Sequence, residues 1–263
     1  MGSDGNRRMK ADAASTEDAG VPELRRLSAR SVILSLMLGA HPPELPVAEI
    51  IALAEKFGVQ PAAARVALSR MVTAGDLHRT NGTYRLADRL FTRQQRQDRI
   101  LSTTAAVPWN QRWRTVVVVS SGDSARARAD FRATMLGQRF AELREGVWIR
   151  PDNLEFVRPA AATPRIETLS AVPDEDPKTL AARLFGLDEW AKTGTALIEK
   201  MNSADTPIDR VTVTAAIVRH LLTDPLMPAE LLDEHWPGEL LRTLCLAYRG
   251  VAYQVELSAT ARS

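Results

Sequence analysis

The chain has 263 residues, enough for two or three domains at about 100–200 residues each, and its 45% apolar and 25% charged residues exclude a disordered or collagen-like polymer. Thirty-four basic and 32 acidic side chains leave a net charge of +2, and one cysteine, Cys245, beside four histidines excludes an internal disulfide and a cysteine-rich zinc site. The longest strongly apolar run, residues 31–39, is far short of the ~20 residues that span a bilayer, and residues 1–26 are small and polar, which predicts a disordered tail on a cytoplasmic protein.

The first expected domain covers residues 27–101. Ile33, Leu36, Met37 and Ala40 recur at helical spacing, with Ser28 placed to cap the first turn and Pro42 and Pro43 ending the helix. Val47, Ile50, Ile51 and Ala54 predict a second helix that stops at Phe57-Gly58. After a turn of Val59 and Gln60, Pro61 opens a third helix that closes at Gly75. Two helices joined by so short a turn predict a helix-turn-helix, whose second member can enter a DNA major groove. Ala64, Ala67, Leu68, Met71 and Val72 form its apolar stripe and leave Ala62, Arg65, Val66 and Ser69 on the other side. Small residues there permit close groove approach. Arg65 and Ser69, four apart, are the expected groove contacts, and Arg70 is expected to reach a phosphate.

LHRTNGTYRLA follows, with Asn81-Gly82 as the turn of a hairpin carrying His78, Arg79 and Arg85, a wing able to reach a minor groove or the backbone. Residues 60–100 hold eight arginines, no lysine and three acids, a net +5 suited to bidentate phosphate or guanine contacts. These features together point to double-stranded DNA; the alternative is a helical protein-interaction module. Residues 86–101 read as a solvated connecting helix.

Residues 102–172 form the second expected domain. TVVVVS at 115–120 reads as a buried central strand, 121–123 as a turn, and 125–140 as a helix turning Phe131, Met135 and Leu136 inward. One strand is expected over 143–149 around Gly146 and another from Arg165, giving a small ferredoxin-like α+β sandwich with a free face for dimerisation. Asp123 follows the first strand, where a carboxylate could hold a metal in a nuclease-like site; against this, no second carboxylate or histidine pairs with it in the sequence, and a Ser-Gly-Asp-Ser turn uses aspartate for capping. No enzyme activity, cofactor or metal is expected.

The third expected domain, residues 173–263, is mostly helical and carries a net charge of −5 over residues 171–263, against +4 for residues 1–100 and +3 for 101–170. After an exposed linker at 171–178, helices are expected over 179–201 and 208–222, with an irregular corner at Asp224-Pro225. Cys245, flanked by Leu244 and Leu246, reads as a buried small hydrophobe.

RHLLTDPLMPAELLDEHWPGELLRTLCLAYRG, from Arg219, closely resembles the C-terminal signature of the phenylacetic-acid-degradation repressors, the PaaX-type transcription factors. It does so through Arg219, His220, Asp224, Pro225, Leu226, Pro228, Leu231, Leu232, Trp236, Pro237 and Gly238. The similarity runs upstream through FRATMLGQRFAELREGVWIRPDN and through ARVALSRMVTAGDL with Tyr84. Asp233 and Met227 depart from the family's usual proline and leucine. The resemblance implies a dimeric α+β regulator with a winged helix-turn-helix, a middle domain like the small CRISPR-associated nucleases used structurally, and a helical C-terminal domain. It implies a palindromic operator and repression of an aromatic or acyl-CoA catabolic operon, relieved by an acyl- or aryl-CoA effector. By family analogy Arg219, His220 and Trp236 could contribute to that effector's pocket. The alternative is that Trp236 and Pro237 fix a helix corner and His220 is a structural histidine.

Overall fold

The computed structural model of the protein describes residues 24, 26–102, 108–119, 124–159 and 165–248. The tail expected over 1–26 lies outside the described residues apart from Leu24 and Arg26, and so do the turn at 121–123 and Asp123. The protein is α+β, and its described residues form two antiparallel sheets of three and four strands.

Helix α1 (Ala29–Gly39) begins where Ser28 Oγ accepts the Ser31 N–H at 3.2 Å, the cap its sequence predicts. Helices α2 (Val47–Lys56) and α3 (Pro61–Thr73) follow, and Ile33, Met37, Ile50, Leu53, Ala64, Leu68 and Met71 from the three share one core. The hairpin pairs β2 (Leu77–Thr80) with β3 (Thr83–Leu86) across Asn81 and Gly82, whose φ values of 50° and 80° are the two positive angles a type I′ turn requires. A third strand, β1 (Glu44–Pro46), pairs with β3 in the order β1-β3-β2. The double proline thus ends α1 and leads straight into an edge strand, where proline costs little because one side of the strand makes no ladder bonds.

Helix α4 (Asp88–Ser102) corrects the expectation of a solvated connector, since Leu90, Gln94, Gln97, Ile100 and Leu101 are buried. Gln94 explains how a polar helix comes to lie inside: its Nε2 donates to the carbonyls of Leu38 at 3.1 Å and Ala40 at 2.7 Å, closing the end of α1. A Gln94→Leu variant leaves these buried acceptors unmet and is expected to lose about 1–3 kcal/mol of stability. Urea unfolding would show this as a lower midpoint at unchanged slope.

In the second sheet β4 (Trp113–Val118) is central, as its apolar run predicts, between β6 (Val147–Pro151) and β7 (Ile166–Ala171) in the order β5-β6-β4-β7. The single strand expected over 143–149 is instead a hairpin of β5 (Ala141–Arg144) and β6, because Gly146 at φ 74° turns the chain. Helix α5 (Ala125–Gly137) lays Met135 and Phe131 on Val116, Trp148 and Ile166. Leu136 does not join them: adjacent to Met135 and so about 100° further round the helix, it is 48% exposed. Alternation along β4 sends Trp113 to the opposite face, where Leu180, Ala181 and Leu231 cover it.

The helix expected over 179–201 is two, α6 (Pro177–Phe185) and α7 (Leu187–Asn202), separated by Gly186 at φ 58°. Helix α8 (Pro207–Leu221) and a short 3-10 turn (Ala229–Leu231) follow, and residues 238–248 are again helical, with Cys245 buried among Leu197, Ile217 and Leu221. Among the described residues no helix is long and apolar enough to cross a membrane.

Candidate nucleic-acid interface

Helix α3 turns two chemically different faces. Ala64, Ala67, Leu68 and Met71 are buried, whereas Ala62, Arg65, Val66, Ser69 and Arg70 are exposed. Val66, an apolar residue at 51% exposure, marks a surface free of long side chains at its centre. The guanidinium groups of Arg65 and Arg70 have no hydrogen-bond or ion-pair partner among the described residues. All the α3 residues singled out in the sequence therefore share one solvent face.

The hairpin divides its basic residues. Register sets His78 opposite Arg85 and Arg79 opposite Tyr84, so Arg79 and Arg85 point to opposite faces. Arg79 lies with its guanidinium 5.8 Å from the ring centroid of buried Tyr84, which steadies its stem while the head stays exposed. Arg85 has Glu44 of β1 as its other cross-strand neighbour, which offsets its charge. Asn81 sits exposed at the tip.

Not every arginine of the basic stretch is free for a ligand. Asp76, 1% exposed at the junction of α3 and the hairpin, accepts from Arg30 at 2.6 Å and from Arg89. Its backbone closes the junction as well, with the Asp76 N–H donating to Met71 and the Ala87 N–H donating to Asp76. This anchor fixes the angle between α3 and the hairpin. It was not legible in sequence, because Arg30 and Asp76 lie 46 positions apart.

Of the three residues expected at an effector pocket, His220 and Trp236 flank one ring, Trp190, whereas Arg219 stands apart from them. Arg219 is exposed and lines a cavity bounded by α1, α4 and α8. His220 instead stacks on Trp190 at 4.2 Å between centroids, and Trp190 stacks on Trp236 at 4.5 Å. His220 Nε2–H donates to the Trp190 carbonyl at 3.0 Å, and Trp190 Nε1–H donates to Thr223 Oγ1 at 3.2 Å. The Trp-Pro-Gly turn supports the stack, since a Cβ on Gly238 would stand 2.7 Å from Trp236 Nε1. Trp190, which the sequence reading passed over, is its middle ring.

Burial lowers the His220 pKa from its ordinary 6.5, against the opposing pull of the Trp190 carbonyl and Asp224. The folded state thus prefers the neutral ring. Its contribution to stability is complete above the unfolded value of 6.5 and is lost as pH falls through the lower folded value. Melting temperatures measured from pH 7.5 to 5 are therefore expected to fall less in a His220→Gln variant than in the wild type.

Among the described residues no three His, Cys, Asp or Glu side chains gather as a metal site, and Asp123 lies outside those residues. Three family matches cover most of the chain: PaaX-like protein over residues 28–90, PaaX protein central Cas2-like domain over 106–175, and PaaX-like protein C-terminal domain over 186–258. The chain is also similar to the solved structure of an uncharacterized protein, Rv0674, from Mycobacterium tuberculosis. The two share 44% identity and a TM-score of 0.77, over 86% of this chain and 96% of that one. No curated protein matches it.

Proposed function

Because the chain belongs to the PaaX-like protein family, whose domains fit a transcriptional regulator, we propose that it is a dimeric winged helix-turn-helix repressor that binds a palindromic operator in the cytoplasm. The observation that carries this reading is the exposed face of α3, with Arg65 and Arg70 unpaired beside the hairpin. Helix α3 is the recognition helix, and its small residues Ala62, Val66 and Ser69 allow the backbone to approach base edges. Arg70 and Arg79 grip phosphates, with Asn81 at the wing tip. Arg85, facing Glu44, is the weakest of the contacts singled out. The regulated operon serves aromatic or acyl-CoA catabolism. Release by an acyl- or aryl-CoA thioester belongs to the same proposal and is supported by the family alone.

Capture of genomic DNA fragments by the purified protein, followed by footprinting of the best fragment, tests this. A protected palindrome is the expected result; no enrichment over random DNA at moderate salt would overturn it. Phosphate contacts from Arg70 and Arg79 in each of two subunits predict that log affinity falls against log salt with a slope of about −3.6, at about 0.9 per phosphate.

A further inference from the structure

Helices α1, α4 and α8 line a cavity of about 280 Å³, to whose wall α3 contributes no residue. Most of its surface is apolar, from Leu34, Val211 and Val218 among others, with Ser31, Ser35 and Thr214 also on the wall. Two features of the wall are out of place in a mere packing defect. Gln97 lines it at 5% exposure, yet its side-chain amide has no hydrogen-bond partner among the described residues, unlike Gln94 one turn earlier. That amide is reachable from the cavity, so it is open to a polar group of a bound molecule. In addition, Arg93 and Arg219 both line the cavity, neither has an ion-pair partner among the described residues, and no aspartate or glutamate contributes to the wall. Arg93 and Gln97 stand four apart on α4 and so face the same way.

We propose that this cavity binds a small monocarboxylate with an apolar body, its carboxylate accepting from Gln97 and the two guanidinium groups and its hydrocarbon lying among the aliphatic residues. The volume, just below the usual range of about 300–1,000 Å³ for small-molecule sites, suits a free acid. A neutral ligand would leave both cations unpaired. The site is placed to act on α3: α1 walls the cavity through Leu34 and packs through Ile33 and Met37 in the core that holds Ala67 and Leu68 of α3. That coupling rests on the proposed DNA-binding function, whereas ligand binding itself does not.

Calorimetric titration of the full chain without DNA tests the site, using octanoate and benzoate against their amides, octanamide and benzamide. At least one acid is expected to bind saturably and about tenfold tighter than its amide. Arg219→Ala, a change at an exposed position that leaves the fold intact, is expected to abolish that preference, and Gln97→Leu to weaken the acid further. Absence of saturable heat from both acids at millimolar concentration overturns the proposal, as does equal binding of acid and amide, or a preference unchanged by Arg219→Ala. Repeating the titration as a change in operator affinity then reports the coupling. A chain that binds acid but no DNA removes the functional reading and leaves the site standing.

Discussion

Replacing Arg242 with alanine is expected to destabilise the protein by about 3–5 kcal/mol, because it strands a buried carboxylate. Arg242 and Asp224 form an ion pair at 13% and 3% side-chain exposure. Asp224 also accepts the Leu226 N–H at 2.8 Å, while Arg242 Nε–H donates to the Ile100 carbonyl at 3.0 Å. One guanidinium therefore ties the end of α4, the Asp-Pro corner and the last described helical turns together. Removing it leaves the buried aspartate without its ion-pair partner, which costs far more than a lost surface pair. Unfolding in urea would measure the loss. The double variant Arg242→Ala/Asp224→Asn is expected to fall well short of the sum of the single changes, since the second removes the charge the first has stranded. A loss below about 1 kcal/mol in Arg242→Ala would mean that the pair is solvated.

How far such features can be read in advance depends on whether they are local. The three N-terminal helices are punctuated by Ser28, Pro61 and Gly75, and their apolar residues recur at 3.6-residue spacing, so element boundaries and the exposed face of α3 follow from short-range pattern. The Asn-Gly hairpin is equally local. Gly186 sits between Leu184-Phe185 and Leu187, and Gly146 leads into Val147-Trp148-Ile149, so apolar pattern continues past both glycines while a positive φ leaves no mark on hydrophobic periodicity. Strand β1 forms against the propensity of a proline-flanked segment because β3 offers it an edge. Helix α4 misled through composition: its buried glutamines look solvent-facing until the carbonyls that Gln94 satisfies are in view. The clamp on Asp76 and the Arg242–Asp224 pair join residues distant in sequence, and no spacing rule announces them. Arg219 and His220, neighbours on α8, enter different surroundings because successive residues point about 100° apart round a helix, but which surroundings each meets depends on distant segments.

The division of labour proposed for the basic residues predicts two different failures. Arg65→Ala is expected to cost about 1–3 kcal/mol on the operator, the price of one lost bidentate base contact, and little on random DNA. The change removes no intramolecular partner, because the Arg65 guanidinium has none among the described residues, so fold stability stays level. Arg79→Ala is expected to weaken operator and random DNA alike and to reduce the salt slope by about 0.9 per subunit, since a phosphate contact carries no sequence information. Titrations of both variants against both DNAs across a salt series separate the two cases. Equal losses on the two DNAs for Arg65→Ala would move that residue from base reading to backbone gripping. The recognition helix would then owe its sequence preference to Ser69, or to the shape of the DNA that its small residues can approach.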